Sequence, residues 1–543
     1  MSVSHDNYNI LIEFVHRHLE FQRPELESIL SLHDIQIGRD CVEISLPTPS
    51  EEGKVKNHRP FVILSFSFEY AKKKFNFDDE GEKLSSDISR YSTINKDRPT
   101  IASLLSRCTL IRSVLELWGS GTTFDSCADN VRSLSHGAST CTAGKQIFSK
   151  CSKPSSSWKI TIHTLGTKFN REEQNVMRAT FAFLNFPGKV QMVEPTNEYL
   201  LIREIELDSA GTVIHKGDNS RPPIAVYYGR VLGGLRDWRG DNRLEQYSLK
   251  KRSYLGPTSM DAELSLVMTN LGLVQKGFMC FEPFVGTGSI LLTCGLRGGY
   301  CIGTDIDIRV LRGRSEEENV LTNFDQYKLH RPDLVRSDNA IYHRHYRTDK
   351  PIYDAIITDP PYGIRAGARK TGSKGKNPQP IPDEHRHDHI AQTKVYAVSD
   401  VMSDLLDVAA KTLVMKARLV YIIPSMTDFD VNTDLPRHEC LRLVYVCYQP
   451  LQVELGRRVV VMEKVKEYDL SQRDRYLSNV WVNGPESAEK CANIREKLIE
   501  AARLKPGYEQ KAAYRKKKRL ETKEANKKAK LETKKKATSH QFA

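Results

Sequence analysis

Residues 278–307 read FMCFEPFVGTGSILLTCGLRGGYCIGTDID. An apolar run ends at an acidic residue, Glu282, and Gly286-Thr-Gly288 then turns the chain into a helix. A second apolar run, YCIGTD, ends at Asp305 about twenty residues later. Glycines at such a turn make it tight and let the backbone approach a ligand. Strand, turn, helix and strand in this order are one unit of a parallel doubly wound sheet. Ligands of such sheets sit at the carboxyl ends of the strands. Two phosphate readings fail. A dinucleotide fingerprint requires glycine where Leu291 stands, and a P-loop requires a Gly-Lys-Ser/Thr that is absent. The acid, the proline and Gly-Thr-Gly together suit S-adenosylmethionine, whose amino-acid end is cationic and which carries no phosphate. Glu282, Phe284, Gly286 and Gly288 are the candidate cradle. Asp305 is the candidate acceptor for ribose hydroxyls, with Asp307 as its competitor.

The same alternation continues outward from about Gly256 to Lys466, with GGYCIGTDID, YDAIITDPPY, ARLVYIIP and RLVYVCYQP as further strand candidates. RSDNAIY (336–342) offers Asp338 and Asn339 at a strand end, where an adenine amino group can be bound. Upstream, in SYLGPTSMDAELSLVMTNLG (253–272), Thr258 or Ser259 is placed to cap a helix. With Asp261, these hydroxyls reach the methionine end of the cofactor.

AIITDPPYGIR (355–365) carries the chemistry. A strand delivers Asp359, Pro360, Pro361 and Tyr362 at its carboxyl end. An exocyclic base amine is a poor nucleophile because its lone pair is conjugated into the ring. A carboxylate and a rigid carbonyl accepting its hydrogens localise that lone pair toward a methyl donor. Asp359 and the Pro360 carbonyl suit this role, and the two prolines stiffen the turn. Tyr362 offers a stacking face for an unstacked base. No cysteine stands beside this motif, which argues against a thiol-adduct mechanism. The alternating histidines of HRHDH (385–389) lack partner ligands of recognisable spacing, so no metal is expected.

Four segments surround this core. Residues 1–95 read as a small mixed domain, in which Pro24 opens a helix. Residues 96–207 read as a compact α/β module beginning with a helical IASLLSRCTLIRSVLELW. Residues 208–255 read as a connector containing the strand-like PPIAVYYGRVLGG. The catalytic unit then spans 256–484, and 485–543 form a helix-prone, unpacked tail.

Composition excludes several classes. The net charge is +13, but residues 510–543 carry +10 of it, leaving +3 for the other 509. The basic excess therefore describes a tail, which can serve as a nuclear address or contact RNA nonspecifically. No apolar run reaches the roughly 18–20 residues of a spanning helix. The N-terminus has no basic patch followed by an apolar stretch, which argues against a secretory signal. Eleven scattered cysteines without a C-x-x-C pair argue against a disulfide scaffold or zinc ribbon and for a reducing compartment, the cytosol.

The ordered set YLGPTSMDAEL, EPFVGTGS, GTDID and DPPYGIR resembles the eukaryotic tRNA guanosine-10 N2-methyltransferase family. PIAVYYGRVLGG and LEQYSLKKRSYLGPTSMDAEL are its most specific parts, and ARKTGSKG is similar too. The match is close over roughly 220–465 and looser at EFVHRHLEFQRPELESILSL. The resemblance implies a Rossmann-like class I methyltransferase domain preceded by a ferredoxin-like domain and a THUMP domain, an α/β architecture with a flexible basic tail. It implies methyl transfer from S-adenosylmethionine to guanosine N2, with THUMP gripping the tRNA acceptor end. It also implies a small zinc-binding activator subunit as partner, and no membrane. By matching position, Asp359 is the catalytic acceptor, Tyr362 the base platform, and Glu282, Gly286, Gly288, Asp305 and Asp338 the cofactor site. Glu282 stands where that family usually has aspartate. A tRNA substrate makes Arg230, Arg243, Lys251 and Arg252 candidate RNA contacts, together with Arg365, Arg369 and Lys370 after the catalytic strand. Two other readings remain open: amino methylation of another base or of a glutamine side chain, and a catalytically silent tRNA-binding scaffold.

Overall fold

The computed structural model describes residues 4, 6–44, 59–75, 100–136, 142–208, 211–233, 243–256, 259–344, 350–361, 368–372, 382, 392–426, 428–451 and 455–484, with four isolated tail positions, 503, 510, 514 and 518. The first segment supplies β1 (Asn7–Phe14), α1 (Leu19–Ser31), β2 (Cys41–Ile44), β3 (Phe61–Ser67) and α2 (Phe68–Lys74). The second supplies α3 (Ile101–Leu105), β4 (Ile111–Gly121), α4 (Phe124–His136), α5 (Thr142–Cys151), β5 (Trp158–Thr164), α6 (Arg171–Ala179) and β6 (Asn197–Glu204). β7 (Ala225–Gly233) follows.

These seven strands form one sheet in the order β2-β3-β1-β4-β7-β6-β5. The boundary at 95/96 therefore separates no sheets: β1 pairs with both β3 and β4. The stretch read as a connector supplies β7, which lies between β4 and β6. Two local expectations are also corrected. Of IASLLSRCTLIRSVLELW only α3 is helical, and Ile111 onward is β4. β4 is a central strand buried on both faces, so its apolar run has no period-2 signature. The helix expected to open at Pro24 begins at Leu19, which puts Pro24 inside α1. The N–H it lacks would have met the Glu20 carbonyl.

The second sheet is built from β8 (Met279–Glu282), β9 (Tyr300–Asp305), β10 (Asp333–Arg336), β11 (Tyr353–Thr358), β14 (Leu413–Met426), β15 (Leu441–Pro450) and β16 (Leu455–Lys464). Between β11 and β14, β12 (Arg369–Thr371) and β13 (Thr393–Val395) form a separate ribbon. The helices are α7 (Ala262–Leu271), α8 (Ser289–Leu296), α9 (Ile308–Arg312), α10 (Val320–Gln326), α11 (Val398–Thr412) and α12 (Arg473–Ser478). Strand order is β10-β9-β8-β11-β14-β16-β15. The first five are mutually parallel, and β16 runs antiparallel to both its neighbours. The chain order reverses between β8 and β11, which is the switch point where such sheets bind ligands.

The two sheets meet through α1. The Glu25 carboxylate accepts from the Thr109 and Leu110 N–H groups at 2.8 and 2.9 Å and from Asn270 of α7 at 2.6 Å. Arg418 of β14 donates to the Ser28 hydroxyl at 3.1 Å and the Leu271 carbonyl at 2.8 Å. Among the described residues, no helix is long and apolar enough to cross a membrane.

Candidate active site

A cavity of 840 Å³ opens at the carboxyl ends of β8, β9 and β11. Its floor is the glycine turn. Gly286 and Gly288 have φ of 50° and 75°, values that side chains other than glycine disfavour. A Cβ on Gly288 would lie 2.6 Å from Val320, so this glycine lets α8 pack on α10. Gly286 faces open space instead. Its N–H donates to Asp305 Oδ2 at 2.9 Å, and the Asp307 N–H donates to Asp305 Oδ1 at 2.9 Å. Each oxygen keeps lone-pair capacity for a hydroxyl. Burial pushes the Asp305 carboxyl up, against these two N–H donors.

Glu282 ends β8 almost wholly buried, at 3% exposure. It accepts from the Leu291 N–H at 3.2 Å. Burial holds its carboxyl well above the ordinary carboxylate range, and the negative charges of Asp359 and Asp305 add to the effect. Five carboxylates line the cavity (Asp261, Glu282, Asp305, Asp307 and Asp359) against two guanidiniums, Arg369 and Arg457. That donor set repels phosphate and attracts a cation, so the residues fit S-adenosylmethionine, with its sulfonium and ammonium groups. Ser259, Phe284 and Asn339 also line the cavity. Asp261 also caps α7, so the expected cap at Thr258 or Ser259 falls two or three residues later.

β11 brings Asp359, Pro360 and Pro361 to this cavity. A carboxylate, a rigid turn and the cofactor cradle thus share one space, which permits methyl transfer to an amine held at Asp359. Behind them the β12–β13 ribbon returns. Lys370 Nζ lies 3.1 Å from Asp400 and 5.0 Å from the centre of the Tyr396 ring. Tyr396 lines the cavity and donates its hydroxyl to Asp404.

Several residues expected at the site stand elsewhere. Asp338 is absent from the cavity wall, since Thr371 of the ribbon donates its N–H and hydroxyl to Asp338 Oδ2 at 2.6 and 2.7 Å. The Ala340 N–H takes the other oxygen at 2.9 Å. Gly288 sits beneath the wall, at the cap of α8. Arg230 is no free RNA contact: buried Glu116 accepts from its Nε and Nη2, both at 3.1 Å. Arg252 is buried and donates to the Ser289 hydroxyl at 2.7 Å, so it braces α8 from inside. Lys251 and Arg369 are exposed, and Arg369 reaches the cavity rim. Arg243 lies in a short 3-10 turn, Arg243–Tyr247. Thr258, Tyr362 and Arg365 fall outside the described residues, as do the histidines of 385–389. The sequence did not single out Arg457 or Tyr396. Arg457 reaches the cavity through the β14–β16 pairing and Tyr396 through the β12–β13 ribbon, and the β-branched run of LGRRVVVMEK, now β16, was the available signal for Arg457.

Residues 86–235 match the family described as the Tmrp11 THUMP N-terminal domain, and residues 250–374 match the RMKL-like methyltransferase domain. The tRNA (guanine(10)-N(2))-methyltransferase TRMT11 of Dictyostelium discoideum is 35% identical over 483 residues, covering 86% of this chain and 84% of that protein. The Homo sapiens protein of the same name is 33% identical over 484 residues, covering 86% of this chain and 90% of that protein. Among solved structures, TrmN from Thermus thermophilus is similar at 13% identity and a TM-score of 0.37, over 84% of this chain and 100% of that chain. At the 35% and 33% identity of the two curated relatives, across most of both proteins, the chain belongs to the tRNA (guanine(10)-N(2))-methyltransferase TRMT11 family.

Proposed function

We propose that this chain is the catalytic subunit of a tRNA methyltransferase acting on the exocyclic N2 of guanosine at position 10. The observation that carries the reading is the sharing of one cavity by Asp359-Pro360-Pro361, Asp305 and the Gly286 turn. Gly286, Asp305, Phe284 and Asn339 would hold S-adenosylmethionine, together with Ser259 and Asp261. When bound, that cofactor supplies an electrophilic methyl group. Asp359 accepts a hydrogen bond from the target amine and takes the proton the nitrogen loses as its bond to carbon forms. The Pro360 carbonyl accepts the second hydrogen, so the lone pair leaves conjugation with the ring. Tyr362 is the base platform that the family resemblance implies. Orientation supplies much of the acceleration, because the nucleophile needs no covalent activation.

Asp359→Ala leaves cofactor binding largely intact and lowers turnover by about 10²–10⁴-fold. Single-turnover assays with calorimetric titration of the cofactor check this, and near-wild-type methylation in the variant sinks the mechanism. Nucleoside mass spectrometry on tRNA from cells with and without the protein tests the substrate. Loss of N2-methylguanosine at position 10 supports it, whereas an unchanged level with another methylated nucleoside missing overturns it.

The unit of 256–484 performs the chemistry, and the region before it grips the tRNA. A small zinc-binding activator subunit completes the enzyme. Of the two edges of the catalytic sheet, β15 lies against α1, where Tyr445 donates to Glu27 and the Tyr448 N–H to Glu20. The β10 edge presents Val335 at 50% exposure, the start of β9 presents Tyr300 at 59%, and this edge is the candidate dock for that subunit. A chain purified alone that is soluble and fully active removes the partner from this scheme. The enzyme works in the cytoplasm, with the lysine-rich tail as a nuclear address for a fraction of it. Imaging of full-length and tail-truncated chains tests that placement.

A further inference from the structure

The cavity has a second half that the cofactor reading leaves unused. On the near side of the switch point stand Glu282, Asp305 and Asn339. On the far side β14 contributes Pro424, β16 contributes Leu455 and Arg457, and Leu451 follows the end of β15. Pro424 and Arg457 are direct partners across the β14–β16 pair. The near half is rich in carboxylates. The far half joins apolar walls to one forked donor, the complement of a flat base with acceptors along one edge.

We infer that Arg457 reads the target guanosine, donating to its O6/N7 edge while its N2 faces Asp359. This rests on the tRNA methylation reading above. N2 and the O6/N7 edge lie on different sides of the purine, so one base can make both contacts. Adenine presents an amino donor where guanine presents O6, so an arginine there selects guanine.

The guanidinium is aimed by a relay that begins in the N-terminal region. Arg457 Nε donates to Gln449 Oε1 at 2.6 Å, its direct cross-strand partner on β15. Gln449 Nε2 lies 3.2 Å from His18 Nδ1. His18 Nε2 in turn lies 3.5 Å from Glu263, which also pairs with Arg17. The Glu263 N–H donates at 3.0 Å to Asp261, which also lines the cavity. The loop before α1 thus braces the cavity lining at Arg457 and Asp261. Gln449 and His18 are positioning residues for Arg457.

The test uses the full chain with its copurifying subunits and tRNA carrying guanosine or 7-deazaguanosine at position 10. The analogue keeps N2 and O6 but lacks the N7 acceptor. Wild-type kcat/KM is expected to fall about fivefold to tenfold on the analogue. Arg457→Ala is expected to lose about tenfold or more on natural tRNA and to treat both substrates alike, with cofactor affinity unchanged. Arg457→Lys keeps the charge without the fork and is expected to lose the discrimination too, which covers an alanine variant that does not fold. Gln449→Ala is expected to weaken the discrimination, and Gln449→Glu, which still accepts from Arg457, to restore it. Wild-type kcat/KM in Arg457→Ala overturns the inference. So does persistent discrimination in that variant, which makes Arg457 a phosphate contact or a structural brace. If wild-type protein places no methyl on position 10 of natural tRNA, the function reading itself fails, and that is seen before any variant is compared.

Discussion

Glu282 holds its proton more tightly than an ordinary carboxyl because it is buried. It sits at the end of a strand, in a cavity already holding the negative charges of Asp359 and Asp305. An acid that binds its proton more tightly when folded makes the fold less stable as pH rises through its unfolded value, here 4.5, toward the higher folded value. The protein without cofactor therefore loses stability across that window, and a bound cation relieves the strain. Glu282→Gln keeps an acceptor for the Leu291 N–H and removes the titration. Its thermal midpoint without cofactor is expected to be higher at pH 7 than that of the wild type, by about 1–3 kcal/mol of stability, and flatter with pH. Its cofactor affinity is expected to fall. Scanning calorimetry from pH 5 to 8, with and without S-adenosylmethionine, checks both. A variant less stable than wild type at pH 7 contradicts the electrostatic account.

At the level of elements, what the sequence disclosed is what is local. Gly286 and Gly288 announce the turn that their positive φ angles require, and Asp359-Pro360-Pro361 announces a strand end because strand and motif are contiguous. The failures are non-local. β4 reads as a helix because burial on both faces erases its alternation. Arg457 stands 98 residues after Asp359 in the chain, yet shares its cavity through the β14–β16 pairing. Asp338 has the right sequence position for an adenine contact, but its carboxylate is taken by Thr371, a partner that only the fold supplies. This clasp ties the cofactor side of the sheet to the ribbon returning from the catalytic turn. Thr371→Val removes the hydroxyl donor and keeps the N–H. Loss of that charge-assisted bond costs about 1.5–3 kcal/mol locally. Trypsin cleavage at Arg369 and Lys370 is expected to accelerate and kcat to fall, while global stability stays near wild type. Unchanged proteolysis shows the clasp to be dispensable.

Over the whole molecule, the question is how the sheet of the THUMP match is held against the sheet that carries the cavity. The answer lies in the joint between them, which is polar, buried and made of single side chains. Glu25 is fully buried and gathers two N–H groups from the segment before β4 and the Asn270 amide from α7. Arg107 donates back across the same seam, to Asn270 Oδ1 at 3.1 Å and to the Val274 carbonyl. Burial pushes the Glu25 carboxyl up, while these donors oppose it. Such a network has one satisfied arrangement, and any sliding of the sheets strands a buried polar group. The joint therefore fixes the distance between the first sheet and the cavity. Glu25→Ala leaves the Thr109 and Leu110 N–H groups and the Asn270 amide without their acceptor, at a cost of about 3 kcal/mol or more. A wild-type chain unfolding in one calorimetric transition is expected to show two in this variant. If the first sheet carries the tRNA contacts, tRNA affinity is expected to persist because that sheet is intact, while kcat at position 10 falls. A variant that unfolds in one transition with unchanged kcat shows that the apolar packing of α1 on α7 holds the distance by itself.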